Sequence, residues 1–244
     1  MTPFSKSLLS EIKNSIDQAL AAGAHPIAAF DADGTLWDMD MGDYFFDYQI
    51  NKKLLPDLPQ DPWATYLKMH SENSPAAFLW LAQINKGLPL EEIRKWTKQA
   101  FQNMPELPIF DGVHEIIKHL QKSNVQVYVV TASIKWAVEP GAEYLGIPAE
   151  NVIGVSTQIR DGIITDQLEG VVTWHEGKVQ GLLNHTKAPP FFAAGNTIGD
   201  LALLELATHL RLANCGAPQG HKNFNTEQDL IKISKDRGWF VHTY

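Results

Sequence analysis

Two hydrophobic periods alternate along this chain. Residues 5–20, SKSLLSEIKNSIDQAL, set Leu8, Leu9, Ile12, Ile16 and Leu20 on one face at helical spacing, which predicts an amphipathic helix. Ile27-Ala28-Ala29-Phe30 is instead a short unbroken apolar run, as in a strand buried on both faces of a parallel sheet. The next convincing strand, Val125-Gln126-Val127-Tyr128-Val129-Val130, lies far down the chain. Between them, residues 43–104 carry helical, aromatic-rich segments (DYFFDYQI, WATYLKMH, AAFLWLAQI, LEEIRKWTKQAF). Pro56, Pro59, Pro62, Pro75 and Pro89 punctuate these segments, and proline belongs where helices start or stop.

Strand–helix alternation resumes at Pro108-Ile109-Phe110-Asp111-Gly112. DGVHEIIKHLQK (111–122) reads as a helix before the second strand, and IKWAVEPGAEYLG as a helix after it. VIGVSTQIRDGIITDQL reads as two strands joined at Asp161-Gly162, a pair suited to a tight hairpin. GKVQGLLNH is a helix, Phe191-Phe192-Ala193-Ala194 a buried strand, Asp200 to Leu206 a further helix and LRLAN (210–214) a short strand. This order predicts an α/β protein with a doubly wound, mostly parallel sheet. The expected core is residues 1–39 and 109–244, with an inserted helical cap over 40–108.

Composition narrows the class. The 244 residues hold 44% hydrophobic and 20% charged side chains, which fits a globular protein rather than a disordered one. A net charge of −8 with no Lys/Arg cluster argues against a nucleic-acid partner. The single cysteine, Cys215, excludes an internal disulfide. No apolar stretch is long enough to span a membrane, and the charged first helix is not a signal peptide, so the expected location is cytoplasmic.

The densest chemistry lies where the first strand ends. Asp31 and Asp33 stand one residue apart, followed at once by Gly34 and Thr35, and Gly34 reads as the turn out of the strand. In open α/β sheets ligands bind beyond the carboxyl ends of strands. Two carboxylates there offer a nucleophile, a general acid/base and oxygen ligands for Mg²⁺. Thr131 ends the second strand in VYVVTAS, where its hydroxyl also reads as a helix cap. Lys178 opens the helix in HEGKVQGLL, where it also reads as a surface charge. FFAAGNTIGD (191–200) ends a strand in a Gly-rich loop bearing Asn196 and Asp200.

In this order the segments resemble the haloacid dehalogenase (HAD) superfamily, whose opening motif is DxDGT. The resemblance spans about residues 25–215 and implies a Mg²⁺-dependent phosphomonoester hydrolase working through an aspartyl-phosphate. It casts Asp31 as nucleophile, Asp33 as general acid/base, and Thr131 and Lys178 as phosphoryl-binding groups. Mg²⁺ would be held by Asp31, the Asp33 main-chain carbonyl, Asn196 and Asp200. The family's usual loop is G-D-x-x-x-D, and Asn196 stands where the first acid belongs. That removes one negative charge, so an aspartate in its place is expected to tighten Mg²⁺. A dehalogenase is disfavoured because Asp33 is present, and a Rossmann dehydrogenase because no GxGxxG follows the first strand.

An insert placed straight after the first motif resembles the specificity cap of the phosphoserine phosphatase group. Asp40, nine residues after Asp31, matches the position of their ammonium-binding Glu. Leu81 stands seven residues before Leu88-Pro89, where their carboxylate-binding Arg lies. A cation reader without a carboxylate reader points to an amine-bearing phosphomonoester. Phosphocholine fits, since TASIKW and GNTIGD look more like phosphocholine-phosphatase relatives. Trp37, Tyr44, Phe45, Trp63, Trp80 and Trp96 would supply an aromatic wall for it, although aromatics in a helical insert also read as its core. Asp40, Trp37, Thr131, Ala132 and Lys178 are thus the expected substrate contacts. A phosphoserine phosphatase-like enzyme, a phosphotransferase and a regulatory module with a weakened site are the alternatives.

Overall fold

A computed structural model describes residues 3–244. In chain order the elements are α1 (Lys6–Ala21), β1 (Ile27–Phe30), α2 (Met41–Asn51), α3 (Pro62–Glu72), α4 (Ser74–Gln83), α5 (Leu90–Gln102), α6 (Asp111–Lys122), β2 (Gln126–Ile134) and α7 (Lys135–Tyr144). There follow β3 (Val152–Val155), β4 (Thr157–Arg160), β5 (Ile163–Leu168), α8 (Glu176–Thr186), β6 (Phe192–Gly195), α9 (Leu201–Leu206), β7 (Leu210–Cys215), α10 (Phe224–Asp236) and β8 (Phe240–Thr243). Six strands form one sheet in the order β3-β2-β1-β6-β7-β8, and β4 and β5 form a separate hairpin. No helix among the described residues is long and apolar enough to cross a membrane.

The chain divides into two compact units. The first comprises Met1–Met39, Pro108–Val130 and His175–Tyr244. Its centre is β1, all four residues buried, paired in parallel with β2 (Phe30↔Val129) and with β6 (Phe30↔Ala194). Such strands lose both faces to packing, which is why they carry only apolar residues. Ser5 caps α1 by accepting the Leu8 N–H, and the helix buries Ile12 and Ile16 fully, with Leu8, Leu9 and Leu20 half-buried. On α6, Val113, Ile116, Ile117 and Leu120 are fully buried at helical spacing. From β1 the sheet order runs one way to β2 and the other way to β6, β7 and β8. A switch of this kind opens a crevice beyond the strand ends. Here the residues after β1 and after β6 emerge side by side.

The second unit comprises Asp40–Leu107 and Thr131–Trp174. Its core is aromatic: Phe46 meets Trp63, Tyr66 and Trp80 edge to face, with ring centroids 5.0, 5.9 and 5.7 Å apart. Leu81, Ile93 and Trp136 are buried in the same cluster. Two features draw residues 131–174 into this unit. The Arg94 guanidinium of α5 clasps Glu139 of α7 through two bonds of 2.8 and 2.9 Å. The β4–β5 hairpin exchanges backbone bonds with the α4–α5 connection, Gly87 N–H to Ile164 O and Ile164 N–H to Leu88 O. Its turn is Asp161-Gly162, both at positive φ (51° and 78°), as a two-residue hairpin matched to strand twist requires.

Candidate active site

In the first unit the chain leaves β1 through a coil held by its own backbone. The Asp31 N–H donates to Ala194 O, extending the sheet by one residue, and the Leu36 and Thr35 N–H groups fold back onto Ala32 O. Gly34 sits at φ +81°, and its N–H donates to Trp37 O. A β-carbon at Gly34 would overlap Asn196 Nδ2, so glycine is needed here for both backbone angle and space. The Asn214 amide of β7 donates to Thr35 O at 2.9 Å and pins the coil from below.

Asp31 and Asp200 are almost sealed, 5% and 2% exposed, and they share one ammonium. Lys178 Nζ lies 2.6 Å from Asp31 Oδ1 and 2.5 Å from Asp200 Oδ1. The remaining oxygens are also engaged. Asp31 Oδ2 accepts the Thr35 hydroxyl at 2.9 Å, and Asp200 Oδ2 accepts the Asn196 and Thr197 N–H groups at 3.0 and 3.1 Å. Burial, and then the nearby Asp200 charge, push the Asp31 carboxyl up to about 6, although Lys178 and Thr35 pull it down. Burial works against the Lys178 ammonium, but the two carboxylates outweigh it and hold it charged.

Asp33 is half-buried, and its Oδ1 accepts the Trp37 indole N–H at 2.8 Å. Trp37 itself is fully buried, so its ring is enclosed and its polar edge serves Asp33. Asn196 is 2% exposed. Its Nδ2 donates to Glu227 Oε1 at 3.0 Å. Cys215 donates its thiol to Asn196 O, and burial raises its pKa far above the ordinary thiol range.

The other expected site residues belong to the second unit. Thr131 is buried inside β2; its Oγ1 accepts the Ser133 N–H and its carbonyl accepts the Thr173 hydroxyl. Ala132 is half-buried beside it. Asp40 is the N-cap of α2, its Oδ1 accepting the Asp43 N–H at 2.9 Å. Of the expected aromatic wall, Phe45 is buried, while Tyr44, Trp63, Trp80 and Trp96 pack partly buried against the apolar cluster. Leu81 is buried among them.

Among the described residues no three His, Cys, Asp or Glu side chains gather as a metal cluster. The side chains that Lys178 brings together are nonetheless hard oxygen donors, the carboxylates of Asp31 and Asp200. That set suits Mg²⁺ and not a soft metal. The site holds two buried carboxylates against one ammonium, so it also has the charge for a further cation.

The sequence did not show one contact between two of its candidates, nor one further group. The Trp37–Asp33 bond joins residues i and i+4 across a coil whose path periodicity does not give. Glu227 does leave a trace: with Leu230, Ile231 and Ser234 it falls on the buried face of α10, where a charge is out of place.

The model of the haloacid dehalogenase-like hydrolases matches residues 28–205. The chain belongs to this family. No curated protein matches it. Among solved structures, this haloacid dehalogenase-like hydrolase is similar to a protein of unknown function from Bordetella pertussis Tohama I. That likeness has TM-score 0.70, 20% identity, and covers 88% of this chain and 96% of that one. A functionally unknown protein from Anaerococcus prevotii DSM 20548 aligns at TM-score 0.72 and 15% identity, over 98% and 92% of the two chains. A phosphoserine phosphohydrolase-like protein from Francisella tularensis subsp. tularensis SCHU S4 aligns at 0.56 and 19%, over 89% and 95%. At these identities the likeness is one of fold.

Proposed function

We propose that this hydrolase is a Mg²⁺-dependent phosphatase that cleaves small phosphomonoesters through a phosphorylated Asp31. The observation that carries this reading is the clasp of Lys178 between Asp31 and Asp200 at 2.6 and 2.5 Å. It gives a buried carboxylate at a strand end a fixed ammonium neighbour, the electrostatic setting that phosphoryl transfer needs.

Thr35 and Lys178 hold one oxygen each of Asp31 and so fix the plane of the attacking carboxylate. An Asp31 oxygen forms the bond to phosphorus as the ester P–O bond breaks, and Asp33 gives its proton to the leaving alkoxide. Asp33 then takes a proton from water as that water attacks phosphorus. The P–O bond to Asp31 breaks, returning the carboxylate and releasing inorganic phosphate. The indole of Trp37 holds the Asp33 carboxyl in one rotation through both steps. Thr131 is assigned to the phosphoryl oxygens with Lys178. Asp31, the Asp33 carbonyl, Asn196 and Asp200 would hold Mg²⁺, which when bound would supply charge neutralisation at the phosphoryl group.

For the leaving group we infer an amine-bearing alcohol, with phosphocholine as the type. The support is Asp40 at the start of α2, with no cation at position 81, where a substrate carboxylate would need one. The test is kcat/KM for p-nitrophenyl phosphate, phosphocholine, phosphoethanolamine, phosphoserine and a sugar phosphate, with Mg²⁺ and with EDTA. Phosphate release that requires Mg²⁺ is expected, and its absence for every ester overturns the phosphatase reading. Phosphocholine or phosphoethanolamine is expected to exceed phosphoserine by about 10²-fold, because an unpaired carboxylate is costly to bury. Asp40→Asn is expected to erase that preference while sparing p-nitrophenyl phosphate. Phosphoserine or a sugar phosphate as best substrate overturns the amine reading alone.

A further inference from the structure

Glu227 is a buried acid that the chemistry above does not use. It is 3% exposed, on the inward face of α10, and donors meet both of its carboxylate oxygens. Oε1 accepts the Asn196 side-chain N–H at 3.0 Å. Oε2 accepts the main-chain N–H groups of Gly216 and Ala217 at 2.9 and 2.8 Å. A carboxylate can only accept hydrogen bonds, so the amide of residue 196 must turn its nitrogen toward Glu227. From the other side the same nitrogen is packed against Gly34, whose missing side chain makes the space. The hydrogen bond to Glu227 therefore sets which end of the amide is the oxygen, and the close packing on Gly34 limits the side chain's room to move.

We propose that Glu227 is a positioning residue for Asn196: it selects an amide at that position and aims the amide oxygen at the catalytic Asp31–Asp200 cluster. The missing acid of the Gly-rich loop is thus displaced onto α10, one hydrogen bond behind Asn196. This reverses the expectation from sequence alone that an aspartate in place of Asn196 tightens Mg²⁺. A carboxylate there faces Glu227 as acceptor against acceptor, with no hydrogen between them and like charges together. The same polarity argument extends to Glu227→Gln. A glutamine side chain has one accepting and one donating end, and in either rotation its NH₂ meets a donor, Asn196 Nδ2 or the Gly216 and Ala217 N–H groups. With the Asn196 amide kept in its present rotation, only the double change restores the match. The amide introduced at position 227 then accepts from Gly216 and Ala217 and donates to the carboxylate introduced at position 196.

The experiment is a double-mutant cycle over wild type, Asn196→Asp, Glu227→Gln and the pair. One readout is the Tm of the metal-free protein and the other the Mg²⁺ Kd by calorimetry. Only the second readout rests on the metal reading under Proposed function. Each single change is expected to lower Tm, and the pair to recover most of the loss. Either single variant failing to fold while the pair folds counts the same way. Glu227→Gln is expected to weaken Mg²⁺ about tenfold, in the range found when a supporting hydrogen bond to a metal ligand is removed, and the pair to regain it. Additive losses in Tm overturn the pairing. A Kd unchanged in Glu227→Gln with Tm lowered makes Glu227 a structural brace and overturns the positioning role. Wild type that binds no Mg²⁺ overturns the metal reading, and with it the aim of the amide oxygen, while the Tm cycle still decides the pairing.

Discussion

The indole N–H of Trp37 donates to Asp33 Oδ1 at 2.8 Å, from a ring that is fully buried. The bond joins the end of the 31–37 coil to the acid near its start, so the orientation of Asp33 is set by the coil that carries it. Trp37→Phe keeps the apolar bulk and removes the donor. A loss of about tenfold in kcat is expected for alkyl phosphates, whose poor leaving groups need the proton, and little loss for p-nitrophenyl phosphate. Comparing kcat for the two ester types in wild type and variant checks this. Equal losses on both would mean that the indole braces the coil without acting through Asp33.

Asp31→Asn is expected to lower kcat by at least about 10³-fold, because the amide is a far poorer nucleophile. Stability changes in the opposite sense. With its carboxyl raised from 3.8 to about 6 in the fold, chiefly by burial and then by Asp200, Asp31 binds its proton more tightly folded than unfolded. Its contribution to stability is therefore present below about pH 3.8 and lost as pH rises through about 6. Metal-free Asp31→Asn is expected to melt a few degrees above wild type at pH 7.5, with the gap closing toward pH 5. Thermal melts in EDTA across that range measure it, and a gap that widens as pH falls contradicts it.

Lys178→Met removes the one cation that Asp31 and Asp200 share in a nearly sealed site. Leaving buried charge unpaired costs about 3–5 kcal/mol. In a chain of this size that corresponds to a fall of roughly 10 °C in Tm. Lowering pH from 7.5 to 5 is expected to return part of the loss, because the Asp31 carboxyl, raised to about 6, takes up a proton and no longer needs the ammonium. The check is the Tm of wild type and variant in EDTA at both pH values, with activity expected to fall by at least about 10²-fold in the variant.

Gly34 and Gly87 offer a matched pair. Both have φ near +80° (81° and 83°), but a β-carbon at Gly34 would overlap the Asn196 amide, while at Gly87 it would meet nothing within 4 Å. Gly87→Ala is expected to show only the backbone penalty, about 1 kcal/mol. Gly34→Ala adds a displaced Asn196 and is expected to cost clearly more, with weakened Mg²⁺ binding that Gly87→Ala does not share. Urea unfolding and calorimetry of both variants supply the comparison. Equal costs would show that Asn196 yields freely to a methyl group.

The sequence alone determined the strands β1, β2, β6 and β7, the hairpin turn at Asp161-Gly162 and the helices between them. In each, the period or the unbroken apolar run is a local record of burial on one face or two. It also marked Asp31, Asp33, Lys178, Asn196 and Asp200 as candidates, because reactive side chains at strand ends and helix starts stand out from an apolar background. Only the tertiary structure decided what those groups touch. The clasp of Lys178 on Asp31 and Asp200 joins residues 147 and 22 positions apart, set by which strands lie side by side in the sheet. The enclosure of Trp37 depends on what packs around the coil that carries it, and the packing of the 43–104 aromatics on which side of each helix meets another. Composition leaves open whether an aromatic lines a ligand or fills a core. Glu227 lay beyond local reading for the same reason, since its meaning is the donor it faces 31 residues away, and that donor is reached only through the fold.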